Sequence, residues 1–550
     1  MQVRFLPGAS GPRQGAVRVR SCTPRPVLPS GHSVAESTLE APTIPESATA
    51  DQPVPREPAP WTLRGYVSEH PGIATGAVLL VISALLVLWA RTRPSYDAYG
   101  WMVWGYQTLH LSLDLGGAPS WKPVPFLFTV PFALFGHYQL WLWMLTACAV
   151  ALAGPVFGAR IAFRLCGGGG RGEGSADAAR PLQRFAPYAG AFVAGAAVLG
   201  IEGYFHYILS SQSDPMLVTF LLAALDMGLI GRYRWALVFA VLTGLGRPEV
   251  WPFLGLFMLW CWFKVPGTRW MVIAGVVLIG FMWFGIPTIT NGRPDVAGQL
   301  AKGSPRELKS NQLVGTIKRF HEMQYLPVWI AAALAVLLAL VRRNWIVLAL
   351  GVGVVAWLIV EIAFAYHGWP ALPRYMFEAA GVVAVLAGVA VGWLLGDLPR
   401  IVRGAPAWAG AVLAALLVVA MIPGAVSRAR AEHTDLTHEH ARTHEISLLA
   451  SVTTAIGGTH HVLDCGQPVT DVGYVSSLAW LYHLDVGSVG GLQQHVEGAE
   501  LRNPAIPKVL FKPLSSGGWN VEPWHTRPSQ VARCAGLHVT YTSSGALIRQ

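Results

Sequence analysis

Charged side chains are scarce in this sequence. Of its 550 residues only 13% are charged, 53% are hydrophobic, and the mean hydropathy is +0.44. A water-soluble domain has about a quarter of its residues charged, so the composition excludes that class and indicates an α-helical protein that crosses a membrane many times. The formal net charge is +10. Because cytoplasmic anchoring residues account for such an excess in a membrane protein, we predict no nucleic-acid partner.

A long apolar run is missing from the N-terminal region. Residues 1–60 are rich in Pro, Ser, Ala and Arg, a composition typical of disorder. The first apolar segment lies far from the start and is long enough to span a bilayer, which argues against a signal peptide. We therefore predict that residues 1–70 form a disordered cytoplasmic tail.

Apolar runs are frequent after this tail and predict about eleven membrane spans between residues 71 and 424. The predicted spans are Ile73–Ala90, Gln139–Leu165, Pro187–Tyr204, Pro215–Ile230, Trp235–Gly246, Glu249–Phe263, Trp270–Ile289, Leu326–Val341, Trp345–Ala365, Met376–Leu395 and Trp408–Ile422. Several are short for a crossing of about 20 residues.

The distribution of basic residues predicts the orientation. If the N-terminus is cytoplasmic, nearly every short loop on the inside is basic, as the positive-inside rule expects. These inner cations are the tail arginines, Arg164–Arg184, Arg232, Arg234, Lys264, Arg269, Arg342, Arg343, Arg400 and Arg403. The Gly-rich loop Gly167–Asp177 is then a cytoplasmic linker, because it lacks the Lys-Ser/Thr of a phosphate loop. An odd number of spans places the C-terminus outside.

Residues 425–550 are polar and predict a small extracytoplasmic α/β domain. HVLDCGQPVT and HVTYTSSGALI are typical of strands, and Thr437–Ile456 is typical of a helix. Of six cysteines only Cys465 and Cys534 fall here. Two cysteines in an exported domain can form a disulfide, and two unpaired structural cysteines are the alternative. The His-rich stretches match no zinc spacing, so a solvated helix is favoured over a metal site.

The first outer loop, residues 91–138, follows the first span and is too polar to lie in lipid. It holds the acids Asp97 and Asp114, the cation Lys122, and many aromatic residues, including Tyr99 and Trp101. Its Trp and Tyr suit either an interfacial belt or a surface that stacks on sugars. We predict that this loop forms the outer half of an active site.

Lys and Arg are more numerous on the predicted outer side than the positive-inside rule predicts. A bound phosphate is the simplest reason for this excess, because Lys and Arg bind phosphoryl oxygens well. An isoprenoid phosphate would place that group at the bilayer interface. The charged groups assigned to the outer side are Asp97, Asp114, Lys122, Glu202, Asp214, Arg247, Glu249, Arg374 and Glu378. The loop at 290–325, which we predict to act as a lid, adds Arg293, Asp295, Lys302, Arg306, Lys309, Lys318 and Arg319.

Several of these residues have a structural alternative. Asp97 could be a general base or the N-cap of the helix Ala98–His110. Asp214 directly precedes Pro215, which is typical of an N-cap. Arg247 and Glu249 lie at a Gly-rich helix break, where they would line a cavity or pair with each other.

The order of these motifs resembles the GT-C superfamily of integral membrane glycosyltransferases over about residues 73–396. The resemblance is strongest to the branch with protein O-mannosyltransferases and lipid A aminoarabinose transferases. It rests on an acid in the first outer loop, the step Lys122-Pro-Val-Pro, the segment Asp214-Pro-Met-Leu, a Gly-rich break with a cation, and Arg374-Tyr375.

The resemblance implies a role for each matching residue. Asp97 matches the acid that acts as the base or positions the acceptor, and Lys122 matches the residue that contacts the donor phosphate. Asp214 matches an outer acid, Arg247 replaces a phosphate-facing Lys, and Arg374 with Tyr375 matches a pair in the donor pocket. Some relatives carry acids where this sequence has Ala98 and Trp121, which weakens the case for a metal. The sequence establishes no cofactor and leaves a divalent metal, Mg²⁺ or Mn²⁺, open. In that architecture Val124–Phe135 lies along the membrane surface.

The implied reaction is glycosyl transfer at the plasma membrane from a polyprenyl-phosphate sugar to a glycan, lipid or protein acceptor, with inversion at the anomeric carbon. The donor tail would lie in membrane lipid. Two other hypotheses stay open from the sequence. A transporter or flippase of a lipid-linked sugar explains the outer cations but predicts an internal repeat, and none is visible. A non-catalytic membrane scaffold leaves the cations without a role.

Overall fold

The computed structural model describes residues 69–116, 121–167, 181–302, 306–401, 406–492, 506–524 and 528–549. The predicted N-terminal tail, apart from its last two residues, lies outside the described residues, and so does most of the Gly-rich linker Gly167–Asp177.

The described part of the chain is mainly helical, and its first ten helices precede the long outer loop. They are α1 Pro71–Ala90, α2 Tyr96–Leu109, α3 Pro123–Ala133, α4 Gln139–Leu165, α5 Pro181–Leu199, α6 Tyr204–Leu209, α7 Asp214–Leu229, α8 Tyr233–Gly246, α9 Trp251–Lys264 and α10 Arg269–Gly280. A π-helical segment, Phe281–Gly285, joins α10 to α11. The later helices are α11 Ile286–Asn291, α12 Val296–Lys302, α13 Gln312–His321, α14 Leu326–Arg342, α15 Trp345–Tyr366, α16 Phe377–Ile401, α17 Ala407–Ala455, α18 Gly458–Cys465, α19 Val472–Tyr482 and α20 Val531–Cys534.

Within the described residues, six helical segments are long and apolar enough to cross a membrane, or seven if the bent pair α13 and α14 forms one span. The six are Pro71–Ala90, Gly136–Leu165, Pro266–Asn291, Trp345–Tyr366, Pro373–Leu398 and Trp408–Ala455. The predicted total of about eleven is therefore not confirmed. Helices form at the other predicted positions, α5, α7, α8 and α9, but they do not meet the same length and apolarity criteria.

Helix α16 forms the centre of the bundle and is almost wholly buried. It packs most extensively on α5, where small residues let the two backbones approach closely. A Cβ at Gly388 of α16 would lie 2.3 Å from the carbonyl oxygen of Gly190 in α5. Larger residues at these two positions would therefore separate the helices that hold the core together.

Ion pairs lie at one end of the helix bundle. We call it the opposite end, because it is opposite to the site end defined below. Asp226 in α7 is buried; its Oδ1 accepts from Nε of Arg164 in α4 at 2.8 Å, and its Oδ2 forms an ion pair with Arg160 of the same helix at 2.9 Å. Arg342 at the end of α14 contacts Asp397 at 2.8 Å. The sequence predicts these arginines to be cytoplasmic, and the structure places them together. The end where α1 finishes and α16 begins is called the site end.

The polar C-terminal region is continuous with the membrane helices. The last predicted span and the predicted helix Thr437–Ile456 are parts of one 49-residue helix, α17, which also passes through the predicted domain boundary at 424–425. Pro423 lies inside it without ending it. One rigid element therefore links the membrane region to the C-terminal domain.

The C-terminal domain contains a six-stranded sheet in the order β2-β1-β3-β4-β5-β6. The strands are β1 Gln467–Thr470, β2 Gly490–Gly491, β3 Lys508–Pro513, β4 Gly518–Trp524, β5 Val539–Thr542 and β6 Leu547–Arg549. Strand β1 pairs in parallel with β2 and β3, and the other pairs are antiparallel.

The two predicted strand segments are each only partly extended. The first half of HVLDCGQPVT belongs to α18. Val462 of this helix is buried in the core, and Gly466 is its C-cap. HVTYTSSGALI is a hairpin in which β5 and β6 flank a turn containing Gly545 at φ 85°. The strand propensity of each segment is overridden by local turn chemistry.

Cys465 at the end of α18 and Cys534 at the end of α20 form a disulfide in the structure. Both are buried in the C-terminal core. The other cysteines that the structure describes, Cys148, Cys166 and Cys261, are free and buried.

We expect the double substitution Cys465→Ser and Cys534→Ser to lower the free energy of unfolding of the C-terminal domain by about 4 kcal/mol. The disulfide joins residues separated by 69 positions, and opening so long a loop raises the entropy of the unfolded chain. Protease susceptibility of the full-length protein in bilayer nanodiscs measures the change. Reduced wild type is the matched control, and equal resistance of oxidised wild type and the variant would contradict the prediction.

Candidate active site

Three cations from distant parts of the chain converge at the site end. Lys122 directly precedes α3, and Arg247 occupies the break between α8 and the 3-10 turn Pro248–Val250. Arg374 lies in the 3-10 turn Pro373–Met376 that begins the central helix region. The fold thus brings together residues that the sequence separates by as many as 252 positions, from Lys122 to Arg374.

Proline explains the backbone at two of these cations. A residue that precedes proline is held in an extended conformation. Lys122 has φ −139° and ψ 115°, and Arg247 has φ −146° and ψ 123°. The helix therefore stops at each cation, and both side chains reach Asp214 at the start of α7.

Asp214 is the centre of the ion network. Its Oδ1 accepts from the ammonium of Lys122 at 3.2 Å and also from Nη2 of Arg247. All three side chains are almost fully buried, with relative exposures of 7% for Lys122, 2% for Arg247 and 0% for Asp214. The predicted N-cap role of Asp214 is wrong, because Ser213 holds the cap position and Asp214 is the first residue of the helix.

Arg374 connects this network to Asp97. Its Nη1 donates to Oδ2 of Asp97 at 2.8 Å, while Nη2 of Arg247 donates to the backbone carbonyl of Arg374 at 3.0 Å. The alternative that Asp97 caps a helix is also wrong, since Ser95 holds the cap position of α2 and Asp97 lies in its first turn. The first-loop acid is instead part of the cationic cluster.

Arg247 is surrounded by further groups. Its Nε lies 3.6 Å from Oε1 of Glu378, and its guanidinium lies 4.3 Å from the ring centroid of Tyr375. Glu249 is buried beside it, but among the described residues the ion pairs of Arg247 are with Asp214 and Glu378. The predicted alternative of a mutual Arg247–Glu249 salt bridge is therefore not formed.

Lys122 is held in an environment that disfavours its charge. Burial lowers the pKa of its ammonium to about 8; Asp214 opposes this shift, and the like charges of Arg247 and Arg374 add to it. The ammonium also lies 5.6 Å from the ring centroid of Trp101, within range of a cation–π contact. Lys122 is thus protonated at neutral pH and loses its proton near pH 8.

An open pocket lies beside the cations, with an empty space of about 350 Å³ including its mouth. It is lined by Trp121, Lys122, Gly246, Arg247, Pro248, Glu249, Trp283, Ala301, Trp369 and Tyr375. Trp121 donates to the carbonyl of Met282 at 2.8 Å, and Trp283 donates to the carbonyl of Gly244 at 3.1 Å. Both tryptophans are therefore positioned through the π-helical segment Phe281–Gly285, a type of distortion frequent at functional sites.

Two of the predicted substrate-binding residues have structural contacts elsewhere. Tyr99 is buried, its ring lies 5.6 Å from that of Trp480 in α19, and burial raises the pKa of its hydroxyl to about 12. Oδ1 of Asp114 accepts from the side chain of Asn291 and from the backbone of Gly116, both at 2.7 Å. These contacts join the first outer loop to the C-terminal domain and to the end of α11.

Sequence analysis missed a group of residues that hold Asp97 in place. Nη2 of Arg442 in α17 donates to the carbonyls of Arg93 and Pro94, at 2.8 Å and 3.0 Å. The backbone N–H of Arg93 donates to Thr443 at 2.8 Å. Only the Glu439–Arg442 spacing was visible in the sequence, and such a pair usually indicates a solvated helix face.

Glu361, buried in α15, was also missed, although a lone acid in an apolar span is itself a signal of a functional site.

Two acids of the site, Asp97 and Asp214, do not fit a divalent metal. Asp97 is paired with Arg374, and Asp214 is paired with Lys122 and Arg247, so each of these two carboxylates already faces a cation. No group of three His, Cys, Asp or Glu side chains in the described ranges has metal-binding geometry. We therefore derive no step that uses a metal.

No family model matches this chain, and no curated protein matches it. The solved structures that are similar to it include the following two. Both are of ArnT from Cupriavidus metallidurans. The structure bound to undecaprenyl phosphate is 14% identical, covers 88% of this chain and 96% of its own, and has a TM-score of 0.46. The apo structure is 15% identical, covers 80% and 93%, and has a TM-score of 0.43. ArnT is a lipid A aminoarabinose transferase.

We expect Asp214→Asn to lower the free energy of unfolding by about 3–5 kcal/mol, because it leaves two buried cations without their acid. Adding Lys122→Met to Asp214→Asn should cost less than the sum of the two single changes, since one of those cations is then absent. Thermal unfolding of the wild type, both single variants and the double variant measures this coupling.

The matched control for this cycle combines Lys122→Met with Asp226→Asn, a buried acid at the opposite end that pairs with Arg160 and Arg164. These two changes should be additive. Additivity in the Asp214 cycle as well would mean that Lys122 and Asp214 are not coupled.

Proposed function

We propose that this chain is a membrane glycosyltransferase that moves a sugar from a polyprenyl-phosphate donor to a glycan, lipid or protein acceptor on the outer face. The observation that carries this proposal is the convergence of Lys122, Arg247 and Arg374 beside Asp97 at one end of the helix bundle. The motif order of the GT-C superfamily supports the same assignment.

The cations are arranged to hold an anionic oxygen. Lys122 and Arg247 both contact a single carboxylate oxygen of Asp214, and a phosphoryl oxygen is an equivalent acceptor for the same donors. In the proposed complex the donor phosphate lies next to these two cations, with its isoprenoid tail in lipid. Arg374, which pairs with Asp97, supplies a third cation.

The adjacent pocket suits the sugar of the donor. Trp121, Trp283, Trp369 and Tyr375 offer apolar ring faces, and Lys122, Arg247 and Glu249 offer polar groups on the same wall. Binding sites of small molecules commonly combine aromatic walls with a few polar groups in this way. Ala301 of α12 also lines the pocket, so the loop at 290–325 can act as its lid.

Asp97 is assigned as the general base. Its carboxylate takes the proton of an acceptor hydroxyl, and the oxygen attacks the anomeric carbon as the bond from that carbon to the phosphate oxygen breaks. The electron pair leaves with the polyprenyl phosphate, whose charge is stabilised by the three cations. A single displacement inverts the anomeric centre. Arg374 orients the carboxylate before the reaction and turns toward the phosphate as charge develops there.

We expect Asp97→Asn to lower kcat by about 10²- to 10⁴-fold, the usual contribution of a general base. The assay uses full-length protein in bilayers with a panel of polyprenyl-phosphate sugars, mannose and arabinose carriers first, and glycan, lipid and protein acceptors. Asp464→Asn, which changes an exposed acid of the C-terminal domain, is the matched control and should keep full activity.

Other outcomes of this assay distinguish the rival functions. Transfer that survives Asp97→Asn undiminished removes Asp97 from the mechanism. Flipping of the donor without sugar transfer from any donor supports the transporter. The absence of both transfer and flipping supports the scaffold.

We expect the affinity for undecaprenyl phosphate to fall above pH 8. Lys122 is protonated below its pKa of about 8 and loses its charge above it, so affinity should drop about tenfold per pH unit if only the protonated form binds. The phosphate has its second pKa near 6 and does not titrate between pH 7 and 9.5. Lys122→Arg, which stays charged throughout this range, should bind with little pH dependence. An equal fall in both proteins would contradict the role of Lys122.

A further inference from the structure

Helix α13, Gln312–His321, has one buried side and one exposed apolar side. One side packs inward through Thr316 and Phe320, which are buried. The other exposes Leu313, Val314 and Ile317, with relative exposures of 42%, 56% and 44%. Residues spaced by three and four positions share one helix face, so these three apolar side chains form a continuous exposed strip.

The direction of α13 shows what this strip can face. The helix is bent by 95° against α14, Leu326–Arg342, and the two helices meet the length and apolarity criteria of a span only together. The sequence predicts that Leu326–Val341 crosses the bilayer by itself, and in that topology α13 lies close to the membrane plane at the end of the span. The bend is held by the rings of Phe320 and Trp329, 5.0 Å apart, and by Trp329, which donates to the carbonyl of Gln324 at 3.1 Å.

Cations accompany the exposed strip. Lys318 follows Val314 by one helical turn, and its side chain is 75% exposed, with only a weak contact at 4.0 Å to Glu322. Lys309 is exposed just before the helix begins. An exposed apolar strip flanked by lysines is the pattern of helices that lie in the headgroup layer of an anionic bilayer.

We propose that α13 is a docking surface for the outer leaflet, in which Leu313, Val314 and Ile317 enter the lipid while Lys309 and Lys318 bind anionic phospholipid headgroups. This role goes beyond sugar transfer and does not depend on it. It also accounts for lysines on the side of the membrane where the positive-inside rule depletes them.

The docked helix is connected to the candidate active site through Arg319. Nη1 of Arg319 donates to the carbonyls of Pro370 and Ala371, the latter at 3.0 Å, and Nη2 donates to the carbonyl of Arg306 at 3.2 Å. Ala371 precedes Arg374 by three residues. An α13 fixed on the lipid surface therefore fixes the segment that presents Arg374 to Asp97.

The first test places an environment-sensitive fluorophore on α13. Val314→Cys is labelled with the dye in the full-length protein, reconstituted in nanodiscs of neutral lipid and in nanodiscs that contain phosphatidylglycerol. We expect a blue-shifted emission that is larger with the anionic lipid. Ile548→Cys is the matched control, an equally exposed apolar position in the C-terminal sheet, at 53%, and should report water in both lipids.

Two results of this test would overturn the proposal. Emission at position 314 as red as at position 548 means that the strip is not in lipid. A shift that is the same in neutral and anionic nanodiscs, or that persists with Lys309→Gln and Lys318→Gln combined, removes the headgroup contact.

The second test follows hydrogen exchange at residues 369–374 in the same nanodiscs. We expect these amides to exchange faster when Leu313→Ser and Ile317→Ser weaken docking, and faster again with Arg319→Met. The amides at the opposite end, around Asp226 and Arg342, serve as an internal control for global unfolding. Unchanged exchange at 369–374 in the docking variant would show that α13 does not support this segment.

Discussion

The candidate active site depends on one shared contact, the Oδ1 atom of Asp214 between Lys122 and Arg247. Two like charges about 4 Å apart repel by about 4 kcal/mol at the effective dielectric of a protein, so these two cations could not be buried side by side without an acid between them. The same contact makes the cations ready for a ligand, because an anion that enters needs only to share or replace one carboxylate oxygen. Asp214 therefore has both a structural and a proposed functional role.

Helix breaks provide the geometry for this contact. Lys122 and Arg247 each precede a proline, and Asp214 precedes Pro215, so three ionic residues stand where a helix starts or stops. Broken helices leave backbone groups unsatisfied, and at membrane depth these are tolerated only where other groups bind them or a cavity lies beside them. Here the pocket walls and the π-helical segment Phe281–Gly285 meet at these breaks, which explains why the aromatic residues and the cations occur together.

The sequence predicted helix positions and the residues of the site well, but it predicted the partners of individual side chains poorly. The bounds of α4 follow from apolarity alone, and Lys122, Asp214, Arg247 and Arg374 do meet, as the motif order implies. The N-cap alternatives for Asp97 and Asp214 failed because the cap positions fall earlier, at Ser95 and Ser213. Local propensity also cannot show that a distant arginine or lysine pairs with the carboxylate. Arg442 was missed for a related reason, since its partners are backbone carbonyls about 350 residues away, which leave no trace in local composition.

The structure divides the outer cations into two groups, whereas the sequence alone suggested a single phosphate-binding cluster. Arg319 donates to the carbonyls of Pro370 and Ala371, in the non-helical segment just before Arg374. Arg442 donates in the same way to the carbonyls of Arg93 and Pro94, in the non-helical segment just before Asp97. Such carbonyls lack helix partners and need donors, and the fork of a guanidinium can satisfy two of them at once. One class of outer arginine thus holds the backbone on both sides of the Asp97–Arg374 pair. This leaves Lys122, Arg247 and Arg374 as the cations that pair with Asp97 and Asp214 and, in the proposed reaction, bind the phosphate.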